Sequence, residues 1–277
     1  FEIRDLWPMV IQEIGNLSRF HPLIIMLNWF EKYAYNNSDH IVSVKPGDLN
    51  YIANKYNIKH SKLSYIPNGY DLKNSFANNI PNNISSVFSN DKFVVGYMGS
   101  LSAAYGIDQL VKAAEILKFN NSIQFVIAGD GPALLELEKY SLDKKLTNIS
   151  FLGRVPNVYV SEIVKNFSVC FVGYKKANWL KHGLSSNKIY DYMAQKKPII
   201  AALDSDYDPI CLSNCGITVE PENPNQLANA IDSMKNNIEI ILEKMGSNGY
   251  NYLLKNHTFN KISSEYIYLF ENLKNDE

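Results

Sequence analysis

Apolar and polar positions fall into two regimes along the chain. Up to residue 91 the pattern is irregular. FEIRDL at 1–6 reads as a strand ending in a polar turn. Residues 23–37 carry helical apolar spacing, with Leu23, Met26, Leu27, Phe30 and Ala34 on one face. HIVSV at 40–44 is a short strand of the buried type, and Gly47 to Tyr56 reads as helix. KLSYIPNGYD at 62–71 is a strand followed by the turn pair Asn68-Gly69. Residues 72–91, rich in Asn, Ser and Pro, read as a linker and domain boundary.

From residue 92 the pattern becomes regular. Strands are expected at 93–99, 123–129, 148–153, 168–174, 198–203 and 216–220. Helices are expected at 107–118, from Gly131-Pro132 onward with Pro at the first helical position, over 158–166 behind an Asn157 cap, within 183–201, and at 224–235. This alternation predicts an α/β fold in which a parallel sheet is covered by helices on both faces, the doubly wound class. A last helix, about 258–273, places Ile262, Tyr266, Leu269 and Phe270 on its apolar side.

Length and composition narrow the function classes. At 277 residues the chain suits about two domains, and 46% apolar residues suffice for a core. Lys plus Arg is 27 and Asp plus Glu is 28, which excludes the basic field of a nucleic-acid binder. Cys170, Cys211 and Cys215 form no CxxC pair, and their odd number points to a reducing, cytoplasmic compartment. No apolar run reaches spanning length; HPLIIMLNWF at 21–30 is interrupted by Asn28 and followed by Glu31. The chain opens on FEIRDLWP, without Met, so its natural start is expected upstream.

The candidate chemistry lies in GLSSNKIYDYMAQKKPIIA, residues 183–201. In a doubly wound sheet, ligands bind beyond the carboxyl ends of the strands, and the strand at 168–174 delivers the chain there. Ser185 or Ser186 caps the following helix, whose first amides and positive dipole end make an anion site. Lys188 in the first turn is unfavourable for a helix alone by a few tenths of a kcal/mol, and makes sense if a phosphate compensates it. Asp191, three residues on, has the two acceptors that a ribose diol needs. The residues thus suggest a nucleoside diphosphate; a capped surface helix with an unrelated Lys and Asp is the other reading.

This run resembles the donor-site motif of family 4 glycosyltransferases, built from two Rossmann-like domains in the GT-B arrangement. In particular it resembles a bacterial subgroup that transfers N-acetylated amino sugars during surface-polysaccharide assembly. FEIRDLWP, EKYAYNNSDHIVSVKPGDLNYI and IPNGYD fit the second half of the family's first domain and its linker; GYMGSL, VIAGDGP, FLGRVPN and CGITVEP fit the donor domain. The resemblance implies residues 1–76 as the later part of an acceptor-side domain, 77–91 as linker, 92–256 as the donor-binding domain and 257–277 as a helix returning to the first domain. It implies a retaining, metal-independent enzyme with a UDP-sugar donor, an N-acetylhexosamine or deoxy derivative, and a lipid-linked or polysaccharide acceptor in an O-antigen or capsule pathway. The protein would be cytoplasmic, with peripheral contact to the inner face of the membrane. Donor contacts would come from Gly99, Ser100, Arg154, Val155, Gly183, Leu184, Ser185, Ser186, Asn187, Lys188 and Asp191, with Lys188 also catalytic. Diphosphate binding would rest on Lys188 and on amides near Gly99, Ser185 and Ser186.

The sequence departs from the wider family, which carries two glutamates where Gly183 and Asp191 stand, and an Arg and a Lys where Ser100 and Tyr105 stand. Further candidates each have two readings. Arg4 and Asp5 face the interdomain cleft as catalytic or acceptor residues, or form a structural ion pair. His182 touches phosphate or sugar, or neither. Asp204 and Asp206 have DxD metal spacing, but no further residue completes a ligand set. The 21–30 segment lies against a membrane or packs into the core. With upstream residues expected, the chain by itself is expected to bind donor without turning it over. A nucleotide-sugar epimerase or hydrolase, and a non-catalytic sugar-nucleotide-binding module, are the alternatives.

Overall fold

The computed structural model of the chain describes residues 1–72, 79–88 and 91–275. It contains two parallel sheets. The smaller has strands β1 (Glu2–Ile3), β2 (Ile41–Ser43) and β3 (Leu63–Tyr65), in that order. Helices α1 (Met9–Ile14), α2 (Pro22–Asn36) and α3 (Asp48–Tyr56) connect them. Ile3, Leu6, Tyr35, Ile41 and Ile52 form a core on the α2 and α3 side. On the other face, Val42 and Ile66 meet Ile262, Tyr266 and Leu269 of the last helix, α12 (Phe259–Asn275). The C-terminal helix therefore packs on the first sheet, and the Tyr266 hydroxyl donates to Glu2 at 2.7 Å.

Helix α2 is turned away from its expected orientation. Ile24, Glu31 and Tyr35 are its buried residues, whereas Leu23, Met26 and Phe30 are exposed. The reason is a buried polar anchor. Glu31 accepts from the Tyr35 hydroxyl at 2.8 Å, from Lys55 Nζ at 3.2 Å and from the Tyr56 hydroxyl. A carboxylate with three donors can be buried without the large cost of an unpaired charge. Hydropathy spacing assigns the same residue to solvent.

The larger sheet has strands β4 (Phe93–Met98), β5 (Ile123–Ala128), β6 (Ile149–Gly153), β7 (Val169–Gly173), β8 (Ile199–Ala202) and β9 (Gly216–Val219). All pair in parallel, in the order β6-β5-β4-β7-β8-β9. Most of these strands are near-continuous apolar runs because both faces are covered. One face packs against α5 (Ile107–Ile116), α6 (Leu134–Asp143) and α10 (Pro224–Lys235) through Leu110, Val111, Leu137 and Ile231. The other packs against α7 (Val160–Lys165), α8 (Asn187–Ala194), α9 (Pro209–Ser213) and α11 (Glu239–Asn256) through Ile163, Met193, Ile210 and Leu253. The doubly wound expectation holds.

Local differences are small. The 131–143 helix begins at Leu134, because Gly131 and Pro132 form a turn in which Leu134 N–H donates to Gly131 O at 3.1 Å. Asn157 opens a 3-10 turn ahead of α7. Within the expected linker, α4 (Asn82–Ser85) and its neighbours Ile80, Val87 and Phe88 pack against the larger sheet's core. Residues 73–78 and 89–90 of that linker lie outside the described residues.

Candidate functional site

The strand order reverses at β4, whose neighbours are β5 and β7. Ligands in open α/β sheets sit at such a switch point, beyond the carboxyl ends of the strands. A cavity of about 470 Å³ lies there. Its floor is made by the ends of three adjacent strands: Met98, Gly99 and Ser100 after β4, Ala128 to Gly131 after β5, and Arg154 with Val155 after β6. Lys188 and Asp191 of α8 close it. Six of the expected donor residues therefore meet around one space.

The other expected donor residues lie outside this cavity. Gly183 is buried with Pro46 and Tyr207 against it, on the side facing the first sheet. Leu184 packs in the α7–α8 core. Ser185 Oγ accepts from Asn68 Nδ2 at 2.7 Å. Ser186 is the N-cap of α8, but its side chain makes no cap bond, and Asn187 is the first residue of the helix. The amide of Gly99, expected to face phosphate, instead donates to Ala128 O at 3.0 Å. That bond completes the β4–β5 edge; the next residue, Ser100, lines the cavity, and its carbonyl accepts from the Tyr97 hydroxyl at 2.7 Å.

Lys188 has an environment unusual for an ammonium group. It donates to the Tyr97 hydroxyl at 3.1 Å and lies 3.8 Å from the Tyr105 ring centroid and 4.9 Å from that of Tyr97. Among the described residues no carboxylate pairs with it. The side chain is half-buried by area, yet its charged end sits between aromatic walls; burial pushes its pKa down to about 8. The ring faces offset part of this desolvation, and an anion would offset the rest. Tyr105, which stands where the wider family was expected to carry a Lys, is thus a wall of the cation's cage.

Asp191 Oδ1 accepts from the Tyr70 hydroxyl at 3.0 Å, while Oδ2 takes no hydrogen bond from the described residues. Burial raises the Asp191 pKa, and the Tyr70 hydrogen bond acts against that rise. Arg154 is exposed at the cavity mouth, free of ion pairs among the described residues.

Arg4 and Asp5 stand apart from this cavity. Arg4 is solvent-exposed and pairs with Glu2 at 3.0 Å. Asp5 accepts from buried Lys45 at 2.7 Å, and that ammonium is 5.3 Å from the Trp179 ring of the larger domain. The two are therefore not paired with each other, and Asp5 lies beside the junction between the sheets. His182 belongs to the same junction: its carbonyl accepts from Gly47 N–H at 2.9 Å and its ring lies 5.2 Å from that of Tyr51. Between the domains, a second cavity of about 1150 Å³ is bounded by α1, Asn28, Lys55 and residues 175–179. Asp204 lines this cavity, and among the described residues no group of three or more His, Cys, Asp or Glu side chains could hold a metal. Sequence reasoning missed Gly129, Asp130, Tyr70 and the caging role of Tyr97. The AGDGP turn was a usable signal for the first two; nothing local marked the tyrosines.

A doubly wound sheet with its cavity at the switch point, joined to a second parallel α/β unit, is the fold of the GT-B glycosyltransferases. The chain belongs to the glycosyl transferases group 1 family, whose model matches residues 80–252. It is 25% identical over 196 residues to a poly(ribitol-phosphate) alpha-N-acetylglucosaminyltransferase of Staphylococcus aureus (strain COL), covering 68% of this chain and 37% of that protein. It is 24% identical over 162 residues to an alpha-D-kanosaminyltransferase of Streptomyces kanamyceticus, covering 57% of this chain and 40% of that protein. Anabaena HepE in complex with UDP and glucose superposes with a TM-score of 0.73 at 15% identity, over 98% of this chain and 71% of that one. The chain thus spans well under half the length of these two curated relatives.

Proposed function

We propose that the chain forms the donor side and part of the acceptor cleft of a retaining glycosyltransferase using a UDP-sugar, an N-acetylhexosamine or deoxy derivative. The observation carrying this reading is the caged, unpaired ammonium of Lys188 sharing one cavity with the Asp191 carboxylate. Two relatives are named as transferases of amino sugars, and a structural neighbour holds UDP. The Lys188 ammonium stabilises the charge growing on the leaving diphosphate, the role a metal ion plays in other transferases. The Asp191 carboxylate holds the ribose. The bond from the anomeric carbon to the diphosphate oxygen breaks while the acceptor oxygen bonds to that carbon on the same face. The acceptor's proton passes to the departing phosphate oxygen. The acceptor enters through the cavity between the domains.

Calorimetric titration of UDP-N-acetylglucosamine into wild type and Asp191→Ala tests the donor reading. Loss of two hydrogen bonds to a charged acceptor, about 1.5 kcal/mol or more each, predicts roughly 100-fold weaker binding or more. Equal affinities would remove Asp191 from the site. Sugar transfer and anomeric retention are then read by proton NMR of the product.

The acceptor is proposed to be a lipid-linked or polysaccharide intermediate of O-antigen or capsule assembly, met at the cytoplasmic face of a membrane. No helix among the described residues is long and apolar enough to cross a bilayer. Helix α2 instead exposes Ile25, Met26, Trp29, Phe30 and Tyr33, directly across its axis from the buried Ile24, Glu31 and Tyr35. The outward stripe thus faces away from its own sheet. Arg19 and Lys32 flank it, and the only acid between residues 14 and 38 is buried Glu31. An apolar face flanked by two cations suits an anionic lipid surface. Trp29→Ser/Phe30→Ser should cut co-sedimentation with phosphatidylcholine–phosphatidylglycerol vesicles about tenfold or more. Unchanged sedimentation would refute the lipid contact, and so would a fall matched by a change in oligomeric state without vesicles.

A further inference from the structure

The segment after β3 does more than connect the two sheets. Residues 66–70 run alongside α8, and two alternate side chains reach it. Asn68 Nδ2 donates to Ser185 Oγ at 2.7 Å, and the Tyr70 hydroxyl donates to Asp191 Oδ1 at 3.0 Å. Asn68 and Tyr70 thus both contact α8 from one short segment. The segment is itself held from behind. Tyr70 N–H donates to His257 O at 2.6 Å, His257 Nδ1 lies 3.3 Å from Asn68 O, and the His257 ring lies 4.3 Å from that of Tyr190 on α8. Gly69 allows the close approach: a Cβ there would stand 2.5 Å from the Phe259 ring.

We propose that Tyr70 is a positioning residue of the donor site: it fixes one oxygen of Asp191, turns the other toward the ribose of a nucleotide sugar, and thereby ties donor engagement to the placement of the first sheet. This rests on the reading of Asp191 as the ribose anchor. Tyr70 is not among the residues lining the donor cavity, whereas Asp191 is. The tyrosine therefore acts through the carboxylate.

The hydroxyl also favours the ionised carboxylate. The titratable and charged groups around Asp191 are Tyr70 from the connecting segment, Lys188 on its own helix, Asp130 from the turn after β5 and Arg154 from the loop after β6; His257 stands behind Tyr70. If ionised Asp191 holds the ribose, affinity falls as pH drops through its pKa. Removing the Tyr70 hydroxyl moves that fall to higher pH.

The test is the dissociation constant of UDP-N-acetylglucosamine from about pH 5 to 8 for wild type, Tyr70→Phe and Asp191→Asn. The probe's diphosphate is a diester and keeps its charge over this range. Tyr70→Phe is expected to bind about fivefold more weakly at neutral pH, with its acid limb displaced to higher pH. Asp191→Asn should lack that limb. Wild-type affinity in Asp191→Asn would overturn the ribose reading and this inference with it. A weakened Asp191→Asn beside a Tyr70→Phe with unmoved affinity and midpoint would overturn the inference alone. A pH-independent loss in Tyr70→Phe, with the midpoint unmoved, would also overturn it by showing structural support only.

Discussion

Lys188→Met is expected to leave the ligand-free protein as stable as wild type, or up to about 2 kcal/mol more stable, and to weaken UDP-sugar binding about 100-fold or more. The two effects have one cause. The Lys188 ammonium has no carboxylate partner among the described residues, and burial pushes its pKa down to about 8. Methionine fills nearly the same volume between Tyr97 and Tyr105 without that desolvation. It forfeits the cation–π contacts, worth about 1–2 kcal/mol, which limits the gain. With a diphosphate present the balance reverses, because each charge-assisted hydrogen bond contributes about 1.5–3 kcal/mol. The pH dependence follows. The folded pKa is depressed, so between pH 8 and roughly 10.4 the unfolded chain binds more protons, and wild-type stability rises with pH across that window. Affinity for the anionic donor falls over the same rise, as the ammonium loses its proton. Lys188→Met should show neither slope. Thermal melts and titration calorimetry between about pH 7 and 9.5 check both; a variant that melts several degrees lower and still binds within twofold of wild type would refute the assignment.

The legible part of this molecule was what hydrophobic period and backbone chemistry encode. Runs such as FVVGYM and IQFVIA announced a sheet buried on both faces. The motif around Lys188 and Asp191 pointed to the end of the sheet where both side chains now line one cavity. Three features were hidden, for three reasons. Helix α11 gives a weak periodic signal because its contact face is built largely of glycine: a Cβ on Gly246 would stand 1.8 Å from Lys196 O, and one on Gly249 3.0 Å from Cys215. Close backbone approach replaces apolar burial there, and hydropathy does not register it. Helix α2 was turned the wrong way because Glu31 is satisfied by Tyr35, Lys55 and Tyr56, the last two 24 and 25 residues away. The Tyr70–Asp191 contact spans 121 residues, so no local pattern carries it. In each case the missing information was a tertiary partner.

Gly129→Ala should cost about 3 kcal/mol or more of stability, with loss of nucleotide-sugar binding in whatever protein still folds. Gly99, Gly129 and Gly153 end the adjacent strands β4, β5 and β6, all with positive φ, at +148°, +151° and +64°. At Gly129 two constraints coincide. Its φ is one that L side chains rarely adopt, and a Cβ would stand 1.8 Å from Gly99 O. Neither chain can retreat easily: Gly129 N–H donates to Gly153 O at 2.8 Å, and Gly99 N–H donates to Ala128 O at 3.0 Å. Relief requires breaking one of these bonds or lifting the Gly99–Ser100 turn into the cavity. That turn stands close to the cation, since a Cβ on Gly99 would lie 3.2 Å from Lys188 Cε and Nζ. A displaced turn thus disturbs floor and charge together. Gly153→Ala is the control: nothing lies within 4 Å of its Cβ position, so only the backbone strain of φ +64° remains, about 1–2 kcal/mol. Urea unfolding of both variants, with donor titration on the folded fraction, should give a Gly129 penalty clearly above that of Gly153. Equal penalties would mean that the close crossing of the β4 and β5 ends does not shape the site.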